Sequence, residues 1–507
     1  MIFRRSILIL LCFFTVCLTQ AQQRFGMGEV LDLDLIARTP QKIAVSERSF
    51  RDMPSQYSLE KYAPVAGDQG PYGTCTAWAV GYGIATILYA KTHGLTDKEL
   101  INRYAFSPTF LYEHIKDSDD HDCQDGASTV KALNTLIKVG DATLSTVPYK
   151  CGVVPTERAK SEAANYKISD AAILFTQRGI SKDDAYAKKS QEMIELTKKA
   201  IMEGSPVAIA FMLPESFFSI KTAVWKPAAK ESFGDWKHNR HAMAVIGFDD
   251  KIAGGAFRVL NSWGTKWGDN GMVWIKYDDY TRWCLMAVQP YANPHTKAPD
   301  VKETPNPKPL PSPALVNLGG NIEFKLNTGS NMAVNRISSR NLVVEEKAAA
   351  KEELVAYTMM NSYTSGTKFR FFMNIDQEAY IYAFATDLSG KINKILPFDH
   401  LTSTRVGANT VVAFPSDTKV IKMDENKGID YLLILYSKEK MNIDEIVNKM
   451  NASNGGLSSK IISALGNKLI AKDKIRYTDK QVGFQVSIDP LKDKGSIVPL
   501  MIEIKHD

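Results

Sequence analysis

Eight prolines fall between Pro290 and Pro313, separated mainly by Lys, Thr and Asn. Proline lacks an amide hydrogen and fixes φ, so such a run fits neither a helix interior nor a central strand. Residues 290–315 therefore read as a semi-rigid, extended linker. A chain of 507 residues is in any case too long for one core. Two parts must fold around separate cores, and their textures differ.

Before the linker, helical periodicity comes first. Ala79, Gly83, Ile87 and Ala90 share a stripe within a helix expected from Thr76 to about Leu95, with His93-Gly94 as its C-cap. Ser107-Pro108 opens a second helix over 109–115, and an acidic loop over 117–125 follows. A third helix is expected over 128–139 and a fourth over 190–203. After Gly204-Ser205-Pro206 the pattern changes to buried-type strands over 207–211, 242–247, 256–260 and 272–275. Helices first and strands later give an α+β layout, with a cleft between the halves.

After the linker, alternating segments recur over 369–374, 379–384, 410–414, 431–436, 482–488 and 497–504. Two short helices, 443–450 and 458–465, interrupt them. Residues 316–507 thus read as a β-rich, sandwich-like domain. No cluster of Cys, His and carboxylates in it reads as a site.

At the front, Arg4 and Arg5 precede an apolar run from Ile7 to Leu18, and Thr19-Gln20-Ala21 offers small residues at the positions a signal peptidase reads. Residues 1–21 are expected to be a signal peptide, since a run of about a dozen residues is short of a bilayer span. Export to the periplasm or beyond the cell follows as the expected localisation. Residues 22–52 read as a short pro-segment or a strand draped on the domain, and 53–65 as an extended lead-in. The net charge of +6 includes no dense basic patch with interleaved aromatics, so nucleic acid is not an expected partner. Cys75, Cys123, Cys151 and Cys284 remain in the exported chain, which is permissive for disulfides.

The chemistry centres on Asp68-Gln69-Gly70-Pro71-Tyr72-Gly73-Thr74-Cys75-Thr76. Cys75 follows a glycine-rich turn and starts a helix, where the helix dipole favours a thiolate. Nucleophilic cysteine needs a base and a group to orient it. His241 stands where a loop enters a buried strand, His238 is three residues earlier in the loop, and Asn261 follows another strand with Trp263 close behind. The Asn261 amide oxygen can accept the imidazole N–H, and Trp263 can cover that bond. A lone cysteine before an apolar helix is more often a core thiol. Gln69, His241 and Asn261 in these contexts outweigh that reading.

These residues carry a resemblance to the papain family of cysteine peptidases, over about residues 53–290. Gln69 and Cys75 resemble its oxyanion-hole Gln and nucleophile. His241-Ala242 resembles its base, and Asn261-Ser262-Trp263-Gly264 its orienting Asn with the shielding Trp; Trp267-Gly268 and Gly271 extend that match. Asp122-Cys123-Gln124-Asp125-Gly126 resembles the loop whose glycine binds the substrate backbone, which makes Gly126 and Trp263 substrate-binding candidates. There are departures. Tyr72 replaces a cysteine that usually pairs with one like Cys123, so pairing of Cys123 with Cys151 and a free Cys123 both stay open. Thr76 replaces a Trp, for which Trp78 is a candidate substitute. The base lies 166 residues after the nucleophile, which implies inserted loops over 156–240. No long inhibitory pro-domain precedes the site, which argues against regulation by one. The stretch from Phe369 to Tyr436 more weakly resembles a bacterial domain of unknown function.

The resemblance implies a papain-like two-lobed fold, one helical lobe and one β-barrel-like lobe, over 53–289. It implies a cysteine endopeptidase acting through Cys75, His241, Asn261 and Gln69 by a thioester acyl-enzyme. It implies no cofactor or metal, a protein or peptide substrate, and a C-terminal domain that binds another protein or a cell-surface component. The alternatives are an inactive papain-like adhesion protein and an acyl transferase using the same residues.

Overall fold

The structure is a computed structural model that describes residues 25–180, 184, 186–232, 239–299, 315–337, 354–386, 390–489 and 493–507. The expected signal peptide, His238 and residues 300–314 of the proline-rich stretch lie outside the described residues.

The helix that starts at Cys75 departs from simple α-periodicity. An α-turn over Cys75–Ala77 passes into π-helix over Trp78–Ala85 and returns to α-helix over Thr86–Thr92. Every residue of the π segment is buried, so no solvent face imposes a 3.6-residue stripe. Gly81 sits there because a Cβ would lie 2.6 Å from the buried Asp141 carboxylate. Ser107 and Ser128 cap the next helices, Pro108–Ile115 and Thr129–Lys138, by accepting from Phe110 N and Lys131 N. The fourth expected helix spans Ser190–Met202.

The helices pack against a sheet that includes Asp170–Thr176, Cys284–Tyr291, Val207–Met212, Arg240–Asp249, Ala256–Leu260 and Met272–Lys276, in that order and antiparallel throughout. Gln56–Ser58, within the expected lead-in, pairs with the outer end of Arg240–Asp249. The first two strands of the series had no period to mark them in the sequence. Asp170–Thr176 and Cys284–Tyr291 are buried along their whole length, as a strand covered on both faces must be. The last runs to Tyr291, past the Pro290 read as the start of the linker.

The C-terminal region is rich in strands, as expected. One sheet includes Val355–Tyr363, Ile497–His506, Gly428–Ser437, Ala379–Thr386 and Ile392–Leu396; the other includes Thr410–Phe414, Lys368–Ile375, Val316–Leu326 and Val482–Ile488. Their inner faces share one core, with Phe324, Phe371 and Met373 from one and Ile381, Ile434 and Leu500 from the other. The helices Ile443–Ala452 and Leu457–Leu465 cover the outer face of the first sheet through Tyr382, Leu435, Ile461 and Met501. The region is therefore a sandwich with a third, helical layer, rather than two bare sheets.

The two regions are joined edge to edge. Gln41–Lys42 pairs in parallel with Asp170–Thr176 on one side and with Thr402–Ser403 on the other, so one sheet runs from the first region into the second. Arg405, buried, reaches the Ser169 hydroxyl and the Ala292 carbonyl and lies on the ring of Tyr291.

Candidate active site

Cys75 and His241 come from opposite halves and meet at the interface of helix and sheet. Cys75 is the first residue of its helix, and its Sγ accepts from the Ala242 N–H at 3.5 Å. His241 opens the inner part of Arg240–Asp249, in register with Phe211. Its Nε2 lies 2.7 Å from Asn261 Oδ1. An amide oxygen only accepts, so Nε2 carries the hydrogen and Nδ1 is the basic nitrogen. Nδ1 is buried and has no hydrogen-bond partner among the described residues.

Asn261 is held twice. Its backbone N–H donates to Gly271 O at 3.0 Å, and its Oδ1 also takes the Ser262 N–H at 2.8 Å. Gly271 has φ +81°, and a Cβ there would lie 2.1 Å from that of Ala66, so the loop closes only with glycine. The Trp263 ring lies 4.8 Å from that of His241 and covers the His241–Asn261 bond. Gln69 reaches the site from the loop before Cys75. Its Oε1 accepts from Ser262 Oγ at 2.6 Å, which orients the amide, and its Nε2 donates to Tyr72 O at 2.8 Å. Gly126 has φ +80° and donates its N–H to the Tyr112 hydroxyl at 3.1 Å. All six candidate residues thus line one site.

The cleft is filled by residues 25–30, part of the stretch 22–52 expected to be a short pro-segment or a strand draped on the domain. Phe25 stacks on Trp263, ring centroids 4.5 Å apart. Gly26 donates to Gly70 O and accepts, at 2.9 Å, from Gln69 Nε2. Both hydrogens of the Gln69 amide are thereby taken. Gly28 hydrogen-bonds the Cys75 thiol through its backbone, and its carbonyl takes the Ala127 N–H at 2.7 Å. Glu29 pairs in parallel with Ala127, and Val30 N donates to Ala127 O. A Cβ on Gly26 would lie 1.8 Å from Tyr72 O, one on Gly28 1.9 Å from Gly73 O, and one on Gly126 2.2 Å from Gly28 O. Three glycines allow two backbones to pass at contact. The sequence signal was Gly26-Met27-Gly28, which means little until its partners are known.

Thr76 serves the same segment. Its hydroxyl lies 2.8 Å from Glu29 Oε2, and the Thr129 hydroxyl lies 2.6 Å from the same atom. Trp78 does not take the place vacated at Thr76; it packs on Tyr82 and Tyr149. Tyr149, also missed in the sequence, donates to Gln69 O at 2.8 Å and bonds the Thr74 hydroxyl, so it braces both sides of the nucleophile loop. Cys123 pairs with Cys151, and its carbonyl takes the Gly73 N–H at 2.7 Å. Cys284 is free and buried beside Tyr280.

With the segment in place Cys75, His241 and Gln69 are fully buried, and the titrations of the site follow. Burial pushes the Cys75 thiol up to about 12 and the His241 imidazole down to about 4. Both shifts favour the uncharged forms while the cleft is filled. Burial likewise raises the Glu29 carboxyl to about 7, against the lowering effect of Thr129, Thr76 and Arg240. Among the described residues no group of three or more His, Cys, Asp or Glu side chains is placed to hold a metal ion.

Parts of the chain resemble known proteins. Residues 64–293 match the family model described as papain family cysteine protease, and residues 362–440 match a domain of unknown function, DUF4384. An uncharacterized peptidase C1-like protein of Acanthamoeba polyphaga mimivirus is 30% identical over 222 residues, which cover 41% of this chain and 63% of that protein. The match thus spans under two thirds of that relative's length. A gut-specific cysteine proteinase of Caenorhabditis elegans is 26% identical over 278 residues, covering 52% of this chain and 80% of the relative. Xylellain, a cysteine protease from Xylella fastidiosa, superposes with a TM-score of 0.42 at 20% identity, over 54% of this chain and 98% of its own.

Proposed function

Because residues 64–293 match the family model described as papain family cysteine protease, we propose that the chain is a cysteine endopeptidase acting on peptide or protein substrates through Cys75, His241 and Asn261. The observation that carries this reading is a His241 ring oriented by Asn261 so that Nδ1 is the basic nitrogen, next in sequence to Ala242, whose N–H meets the Cys75 thiol at a helix start. His241 takes the Cys75 proton. The thiolate attacks the carbonyl carbon of the substrate. The oxyanion is stabilised by the Cys75 N–H and by Gln69 Nε2, each such donor contributing about 2.7–4 kcal/mol. His241 returns the proton to the leaving amine, and water, deprotonated by His241, releases the acyl group from the thioester.

In the conformation described, residues 25–30 stand where a substrate would lie, so the enzyme is latent until they leave. Gly126 and Trp263 then line the emptied cleft. An open groove of about 530 Å³ beside Trp263, lined by Phe218, Ile220 and Trp267 among others, extends it past Phe25. We further propose export to an oxidising compartment; the Cys123–Cys151 disulfide supports it.

The test is covalent labelling with an epoxysuccinyl inhibitor, followed by mapping of the adduct, in the parent chain and in a variant with the N-terminal segment displaced. The reading expects an adduct on Cys75, stronger in the displaced variant, and loss of peptide hydrolysis in Cys75→Ala. A displaced variant with an accessible Cys75 thiol, no adduct and no hydrolysis under reducing conditions would overturn it.

A further inference from the structure

The segment that fills the cleft is held there by its own contacts, and it is anchored a second time far from where it acts. Beyond Val30 it crosses a short helix, Leu33–Ile36, and then inserts between the two regions. Gln41 N donates to Leu401 O at 2.6 Å. Ile43 is buried in the core of the C-terminal region. Val45 bridges Val412, and Ser46 N donates to Val411 O at 2.8 Å. The Asp417 carboxylate accepts from Ser46 Oγ at 2.9 Å and from Glu47 N at 3.0 Å. Arg48 pairs with Glu323 at 2.6 Å, its guanidinium 3.7 Å above the centre of the Phe372 ring. Ser49 Oγ and the Val411 N–H are 2.7 Å apart.

The peptidase region contributes a smaller, central part of this anchor. Pro40 O accepts from Ile173 N, and the buried Lys42 ammonium bonds Glu203 and Gln289. Burial favours a neutral Glu203, yet the adjacent Lys42, Lys199 and Gln289 outweigh it and hold the carboxyl below its usual range. The same network reaches the C-terminal region, because Lys199 Nζ donates to Asn409 O at 2.8 Å.

We propose that the C-terminal region is a clamp on the N-terminal segment: by gripping residues 41–49 it holds residues 25–30 in the cleft over Cys75. A short peptide held at one end samples many conformations, whereas one fixed at both ends of its course cannot leave without breaking an anchor. A binding event that draws the C-terminal region off residues 41–49 therefore opens the site. The inference goes beyond the peptidase reading and does not need it, since it concerns only what keeps the segment in place.

The test is hydrogen exchange by mass spectrometry on the full chain, which reads the segment without any substrate. Asp417→Ala combined with Glu323→Ala removes two side-chain grips of the C-terminal region without touching residues 25–30. The expected result is exchange roughly tenfold faster over residues 25–36, with Arg240–Asp249 and Ile497–His506 unchanged. Faster alkylation of Cys75 by iodoacetamide accompanies it. If residues 41–49 exchange faster while 25–36 do not, the segment holds itself and the clamp is refuted. If neither stretch changes, the grips carry no weight and the clamp is equally refuted. Should the double variant exchange faster throughout, Arg48→Ala, a half-exposed side chain, decides between the same outcomes.

Discussion

Gln69 Nε2 donates to Gly26 O across 2.9 Å, so the amide proposed to stabilise a substrate oxyanion is bonded instead to the chain's own backbone. The contact depends on Gly26 and Gly28, each of which leaves no room for a Cβ against the nucleophile loop. Gly28→Val should therefore expel residues 25–30 without touching either core. Alkylation of Cys75 is expected to rise by at least about tenfold, as measured by mass spectrometry of the Cys75 peptide. An unchanged rate would mean that the segment does not guard the thiol.

Glu29 makes closure pH-dependent. Its carboxyl stands at about 7 in the closed cleft and returns to about 4.5 once solvated. An acid raised in one state favours that state below the lower value, and the advantage is lost as pH rises through the higher one. The pull toward the closed form is thus full below about pH 4.5 and gone above about pH 7, a difference of roughly 3 kcal/mol. His241, lowered to about 4 by burial, titrates with the opposite sign between about 4 and 6.5 and masks much of this in the parent. Cys75 stays protonated in the closed form over the range, and Arg240 stays charged. Comparison with Glu29→Gln isolates the carboxyl. The ratio of segment opening in the parent to that in Glu29→Gln should grow on the order of a hundredfold from pH 4 to pH 8. A ratio independent of pH, read by hydrogen exchange corrected for intrinsic rates, would remove Glu29 from the account.

Gln69→Ala should act in two directions at once. It removes the bond to Gly26, so Cys75 in the full chain should alkylate faster. It also removes the proposed oxyanion donor, so kcat for a peptide substrate in the Gly28→Val background should fall about a hundred- to a thousand-fold. A variant slowed in both assays would point instead to disorder of the nucleophile loop, which Gln69 ties to Ser262.

The disulfide ties the acidic loop to Cys151, and from that loop the Cys123 carbonyl holds Gly73 N of the nucleophile loop. Cys151→Ser should cost about 3 kcal/mol of stability, read as a lowered denaturation midpoint, from the loop it no longer closes. Loss of activity should track that loss of order at Gly126 and Gly73 rather than any change in kcat of the folded fraction.

The local contexts of Cys75, His241 and Asn261 were legible in the sequence: a helix start, the start of a buried strand and a glycine-bounded turn. Most C-terminal strands were legible too, since Val482–Ile488 alternates buried and exposed positions along its end. Cys284–Tyr291 was not: like Val207–Met212 it has no alternation to read, and its Pro290 resembled the start of the linker. The π-helix over Trp78–Ala85 was hidden, having no polar face. The filled cleft was out of reach for a different reason. Gly26 and Gly28 matter only through backbone atoms of Tyr72 and Gly73, and nothing in residues 25–30 names those partners.

Asn261 offers a test of how much orientation contributes. Its Oδ1 fixes the hydrogen on His241 Nε2 and leaves Nδ1 free for the thiol, while Trp263 keeps water from that bond. In Asn261→Ala the ring keeps its place on the strand but loses its tautomer preference and its partner when charged. A hydrogen bond to a charged group is typically worth about 1.5–3 kcal/mol, so kcat in the Gly28→Val background should drop roughly 10- to 100-fold. KM should hold, because Asn261 does not face the emptied cleft. The thiolate–imidazolium pair should also form less readily, which shifts the acid limb of the alkylation–pH profile of Cys75 upward. A fall in kcat with an unmoved profile would assign Asn261 to the packing of the Gly264–Gly271 loop instead.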